Sequence, residues 1–166
     1  MGARPQRARR RYGHAVPAAC VLLTGRVGAG KRTIGAAVVA DLRARGIPAI
    51  HLERSSVERY LVPEGDALTW LGTTLVDSGV LTLITAPVPR RDDREAMRAR
   101  VPGFVEVYVD APAELCAQRA GTTDDGYEEP YAPDLRVPTH DRGAAASTAQ
   151  LLSYLEEQGI VEPDAR

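Results

Sequence analysis

Residues Val21-Leu22-Leu23-Thr24-Gly25-Arg26-Val27-Gly28-Ala29-Gly30-Lys31-Arg32-Thr33 constrain this chain more than any other stretch. An apolar run ends in a glycine-rich turn, which passes through a lysine into a segment of helical periodicity. That order reads as strand, anion-cradling loop and helix. Gly25, Gly28 and Gly30 allow backbone angles and close approaches that a Cβ would block. Successive N–H groups, that of Ala29 among them, can then converge on one anion. The helix start at Lys31, Arg32 and Thr33 adds N–H donors and the positive end of a dipole. Lys31 supplies a mobile ammonium suited to the outer phosphates of a nucleotide. The chain holds 21 basic residues, and Lys31 alone is lysine. A compact point charge is used here and arginine everywhere else. One residue departs from the pattern. The position after such a lysine carries Ser or Thr where Mg²⁺ is bound, and here it is Arg32, with Thr33 one place too late. Phosphate binding is predicted, with the usual metal ligand replaced and no metal-ligating residue assigned.

A chain of 166 residues suffices for one domain with a real core and not for two. Its apolar content of 44% and charged content of 26% are those of an ordinary globular protein. A net charge of −1 gives no overall field for nucleic acid, which is not expected as a partner. Cys20 and Cys116 are too few for a disulfide or metal framework, so a reduced, cytoplasmic setting is expected. The longest apolar stretch, near Ala15 to Thr24, is short and contains Pro17, so neither a membrane span nor a signal segment is predicted. Residues 1–17 carry Arg4, Arg7, Arg9, Arg10 and Arg11 and no acid. They read either as a basic arm for nucleic acid or as a leader without fixed structure. Five charges with no aromatic platform beyond Tyr12 favour the leader. The expected organisation is a basic arm over 1–17, a domain over 18–160 and a tail over 161–166.

Within the domain, 18–24 reads as a strand and 33–45 as a helix, in which Ile34, Val38 and Leu42 share a face. Gly46 and Pro48 end it. Residues 49–52 form a second strand, and the right-handed crossover makes the sheet parallel. His51 reads as a core or edge histidine rather than a ligand. A helix is predicted over 64–77 with Leu68, Leu71 and Leu75 facing inward and Trp70 half-buried beside them. Strands follow over 80–85 and 104–109, the second leading into a helix capped by Asp110. Cys116 reads as a small core residue. A last strand spans 135–137, and Asp141 caps a final helix with Leu151, Leu152 and Leu155 inward.

These features together resemble the adenylylsulfate (APS) kinases, phosphotransferases of sulfate assimilation that move the ATP γ-phosphoryl group to the ribose 3′-hydroxyl of APS. The resemblance rests on the loop, on "LRARGIP" closing the first helix, and on "IHLERSSVERYL" entering and leaving the second strand. It continues through Pro89, Arg91, Asp93, Arg94 and Arg98, then Asp110, Glu114, Cys116 and Arg119. It implies a three-layer α/β P-loop kinase fold whose five-stranded parallel sheet has the order 2-3-1-4-5. Glu53 keeps a carboxylate at the first position of the family's Asp-Gly-Asp motif, and Ser55 loses the second. Arg91 and Arg94 match arginines that lie near the phosphosulfate-bearing substrate. Arg119 matches one that packs near adenine. The family's lid over ATP is missing between Thr123 and Asp124, while the flanking Asp124-Asp125-Gly126-Tyr127-Glu128-Glu129-Pro130 stays readable. Tyr127 reads equally as a base, a ribose contact or a packed anchor.

The implied function is transfer of the ATP γ-phosphoryl group to APS or another small anionic hydroxyl acceptor. Lys31, Glu53, Arg91 and Arg94 form the catalytic set, and Gly25, Gly28, Ala29, Gly30, Lys31, Arg32, Thr33 and Arg119 bind the nucleotide. ATP is the cofactor, and any Mg²⁺ beside it binds without its usual Ser or Thr ligand, which Arg32 replaces. A homodimer is implied by the family alone. The competing reading is a catalytically impaired nucleotide-binding protein with a regulatory or partner-binding role.

Overall fold

The computed structural model describes residues 19–60, 67–123 and 126–163. The expected arm over 1–17, the Asp124-Asp125 pair and the last three residues of the expected tail lie outside them. The chain runs β1 (Cys20–Thr24), α1 (Lys31–Ala44), β2 (Ala49–Glu53), α2 (Arg54–Tyr60), α3 (Ala67–Asp77), β3 (Leu81–Thr85), α4 (Arg91–Arg100), β4 (Phe104–Asp110), α5 (Ala113–Ala120), β5 (Leu135–Pro138) and α6 (Ala144–Glu157). The five strands make one parallel sheet in the order β2-β3-β1-β4-β5. This is the predicted three-layer α/β arrangement with strand order 2-3-1-4-5, all carboxyl ends of the strands on one edge. Among the described residues no helix is long and apolar enough to cross a membrane.

The alternation of the strands builds two cores. Val21 and Leu23 of β1, with Leu81, Leu83, Val107 and Val109, pack on Ile34, Val38 and Leu42 of α1 and Leu151 and Leu155 of α6. Cys20, Leu22 and Ile84 point the other way, onto Val76 of α3 and Met97 of α4. Val161, within the expected tail, is buried in the first of these cores.

Local departures from the predicted elements have identifiable causes. Helix α1 starts at Lys31, so Lys31, Arg32 and Thr33 all lie in its first turn. Helix α2 occupies a stretch for which no helix was predicted. In α3 the buried stripe is Thr69, Gly72 and Val76 rather than the three leucines. A Cβ on Gly72 would already lie 3.1 Å from Cys20 Sγ, so small residues bring this helix onto the sheet and larger ones flank it. Trp70, expected to be half-buried, is 60% exposed. Asp110 ends β4 instead of capping α5, and its carboxylate accepts from Arg136 Nη2 at 2.8 Å. Gly143 rather than Asp141 is the N-cap of α6.

One charged cluster sits inside the second face. Arg94 of α4 is 2% exposed and Glu106 of β4 is 3% exposed. Arg94 Nε donates to Glu106 Oε1 at 2.7 Å, Nη1 to the carbonyls of Val88 and Pro89 at 2.7 and 3.1 Å, and Nη2 to the Glu128 carbonyl at 2.7 Å. Arg98 Nη2 donates to the other Glu106 oxygen at 3.1 Å. Four donations to three different segments make Arg94 the pin between β3's exit, β4 and the loop before β5. Val88 needs such a pin. Its φ of 41° places a β-branched residue in the left-handed region, immediately before Pro89, where both features oppose that conformation.

Replacing Arg94 by Met is expected to cost about 3–5 kcal/mol in urea unfolding, because the buried Glu106 loses its deepest partner. The double substitution with Glu106→Leu is expected to recover most of the loss.

Candidate functional site

The loop after β1 is built by two near-collisions. A Cβ on Gly25 (φ 147°) would lie 2.4 Å from the carbonyl oxygen of Val109, and one on Gly28 (φ 89°) 2.4 Å from that of Cys116. Both positions require glycine, because the loop lies directly against β4 and α5. Gly30 (φ 101°) is the N-cap of α1 and brings no capping side chain, so the amides of the first turn are left to a ligand. Thr139, just past β5, donates its hydroxyl to the Ala29 carbonyl at 2.9 Å and fixes the loop from the other side. Lys31 Nζ folds over the loop and donates to the carbonyls of Gly25 and Arg26, each at 2.7 Å.

The loop forms the floor of a cavity of about 750 Å³. Every nucleotide-binding residue expected from Gly28 to Thr33 lines it, as does Arg119 at the end of α5. Gly25, also expected to bind the nucleotide, is not among the residues that line it. Thr139, Arg142 and Ser147 complete that side, and the buried Ser147 hydroxyl has no hydrogen-bond partner among the described residues. Across the loop the wall is Glu53, Arg54, Ser55, Thr85 and Pro87. Arg54, Thr139, Arg142 and Ser147 were not expected. Only topology could have signalled them, since each lies at or beyond the carboxyl end of a strand.

Glu53 ends β2, and its Oε2 meets Arg32 Nε at 2.8 Å. Its Oε1 lies 4.0 Å from His51 Nδ1. The other ring nitrogen of His51 shares a 2.9 Å hydrogen bond with Thr85 Oγ1. Burial holds the imidazole below its ordinary pKa; Glu53 opposes this and the Arg32 charge adds to it. Gly35 makes room for the pair, because a Cβ there would lie 2.8 Å from the Thr85 methyl and 2.9 Å from His51 Nε2.

Arg91 and Arg94 do not line this cavity, against the expectation that both hold the acceptor. Arg94 is spent on Glu106 and three carbonyls. Arg91 lies over the Tyr131 ring at 4.0 Å and donates from Nε to the Glu129 carbonyl at 2.6 Å. Both guanidinium groups thus hold the segment that leads into β5. Tyr127 also packs as an anchor. It is buried against Tyr108, shares a 3.0 Å hydrogen bond with Thr24 Oγ1, and burial pushes its phenol up to about 12. It is no base near neutral pH.

The residues around the loop do not suit Mg²⁺. The first-turn hydroxyl is displaced to Thr33, and Ser55 offers no charge. Glu53, the carboxylate of this wall, is already paired with a guanidinium. A unit charge at 4 Å from another feels about 4 kcal/mol at an effective dielectric of 20, and a divalent ion at that distance from Arg32 would feel about twice this as repulsion. Among the described residues no group of three or more His, Cys, Asp or Glu side chains could hold a metal ion.

The adenylylsulphate kinase family model matches residues 17–138. An adenylyl-sulfate kinase of Synechococcus sp. (strain JA-3-3Ab) is 29% identical over a 169-residue alignment, covering 86% of this chain and 96% of its own. Another, from Synechococcus sp. (strain JA-2-3B'a(2-13)), is 30% identical and covers 85% and 96%. Among solved structures, the Mycobacterium tuberculosis APS kinase CysC in complex with AMPPNP and APS superposes with a TM-score of 0.74 at 25% identity, over 83% of this chain and 97% of that one. A glycine cradle closed by one lysine at the carboxyl edge of a 2-3-1-4-5 sheet, with that match over most of the domain, makes this chain a member of the adenylylsulfate kinase family.

Proposed function

We propose that the chain binds ATP in this cavity and transfers its γ-phosphoryl group to adenylylsulfate or another small hydroxyl compound. The observation that carries the reading is the loop itself, with Gly25 and Gly28 pressed onto two carbonyls and Lys31 poised over its rim. The triphosphate lies against the loop and first-turn amides, and Lys31 exchanges its two carbonyl partners for β- and γ-phosphate oxygens. Arg119 and Arg142 flank the nucleoside end. The acceptor enters beside Arg54, Ser55 and Glu53. Its hydroxyl oxygen forms a bond to the γ-phosphorus as the bond to the β,γ-bridging oxygen breaks, ADP leaves, and the hydroxyl proton passes to Glu53 Oε1.

Turnover is expected to be slow. A second carboxylate and a covering lid are each worth about 10²-fold in such reactions, and the chain carries neither where its family does. The Arg32–Glu53 ion pair favours a second reading, in which nucleotide binds and no transfer follows, because it ties up the proton acceptor.

Substituting Lys31 with Ala is expected to weaken ATP binding by tenfold or more in calorimetric titration, since charge-assisted hydrogen bonds to phosphate are lost. Unchanged affinity would remove the basis of the reading. Gly28→Ala is expected to abolish binding and lower thermal stability together, as the loop cannot keep its left-handed turn against Cys116. Incubation with γ-labelled ATP and APS is expected to yield 3′-phosphorylated APS at a low rate. Binding without any label transfer to APS or other hydroxyl acceptors would establish the second reading instead.

A further inference from the structure

We propose that Arg32, oriented by Glu53, stands in for the divalent cation, so that this chain binds a nucleoside triphosphate without Mg²⁺. The inference rests on the reading of the loop as a triphosphate site and adds what neutralises the phosphates there. Arg32 follows Lys31 in the first turn of α1, so its side chain springs from the same helix start that faces the ligand. It crosses to the far wall, where Nε meets Glu53 Oε2 at 2.8 Å. Both residues line the cavity. The guanidinium therefore sits between the residue position that would carry a metal-binding hydroxyl and the carboxylate that would face the metal.

The pair is built to present charge rather than to bury it. The Arg32 side chain is 72% exposed and that of Glu53 29%. The contact at Nε uses one of five guanidinium donors, and planar paired N–H groups match two phosphate oxygens better than a point charge does. Glu53 acts as the orienting group. It sets the guanidinium over the cavity from the end of β2, beside His51, which is fixed on Thr85. Lys31 and Arg32 then bring two positive charges to the outer phosphates from adjacent residues. A cation held this way is tethered covalently and needs no second carboxylate, which accounts for Ser55 where the family has an acid.

The test is calorimetric titration of the full chain with ATP, once in excess EDTA and once in millimolar Mg²⁺. Expected is a dissociation constant that agrees within about threefold between the two conditions. Arg32→Ser, which restores a hydroxyl and removes the charge, is expected to weaken binding in EDTA by tenfold or more and to recover part of it with Mg²⁺. Arg32→Lys, which keeps a charge, is expected to bind in EDTA within a few-fold of the parent. Glu53→Gln is expected to weaken binding in EDTA while leaving the thermal midpoint unchanged. A parent chain that binds ATP in Mg²⁺ and loses tenfold or more in EDTA overturns the inference and leaves the phosphate loop standing. A parent chain that binds ATP in neither condition overturns both.

Discussion

The whole site depends on how closely the first loop can be pressed onto the neighbouring strand and helix. At Gly25 and Gly28 the backbone comes so near the carbonyls of Val109 and Cys116 that any side chain would collide with them. That contact is a boundary condition, not an attraction. It fixes the path of the loop and places the start of α1 in the lining of the cavity. Thr139 adds a hydrogen bond from the opposite side, so the loop is held between β4's end and β5's end. Rigidity here comes from excluded volume, and the polar surface it displays is the product.

A second device holds the far side of the sheet edge. Arg94, Glu106 and Arg98 form a buried charge cluster whose role is geometric: it gathers Val88, Pro89 and the segment around Glu128 onto one guanidinium. Asp134 closes it by accepting from both Arg98 and the Glu106 amide. Buried ion pairs contribute little net stability against apolar substitutes, but they tolerate only one arrangement. Here that arrangement includes a valine backbone in a conformation it would otherwise leave. The cluster specifies the path of the chain where helix propensity and hydrophobic pattern say nothing.

The sequence carried the sheet order, the α1 and α6 faces and the phosphate loop, because each follows from periodicity, glycine spacing or a family pattern that spans the domain. It did not carry the inner face of α3. The residues that touch the sheet are Thr69, Gly72 and Val76, chosen for smallness, and a search for large apolar residues looks past them. The two arginines expected at the acceptor do not line the cavity, for another reason. A motif tells which residue types recur, whereas the fate of a guanidinium depends on which acceptor lies nearest in space. For Arg94 that acceptor is on β4, and for Arg91 it is a loop carbonyl 38 residues away. The Arg32–Glu53 pair was equally hidden, since it joins the start of a helix to the end of the next strand.

Lys31 rests on the loop's own carbonyls, and this has a consequence for discrimination. The ammonium is already satisfied by two loop carbonyls, so an incoming anion must break two short hydrogen bonds before it gains any from it. An isolated orthophosphate, offering one charged group, replaces little more than it disrupts. On the proposed reading, a chain of linked phosphates would engage the first-turn amides before taking the ammonium, so the latch would favour ligands that bring several anionic groups in sequence.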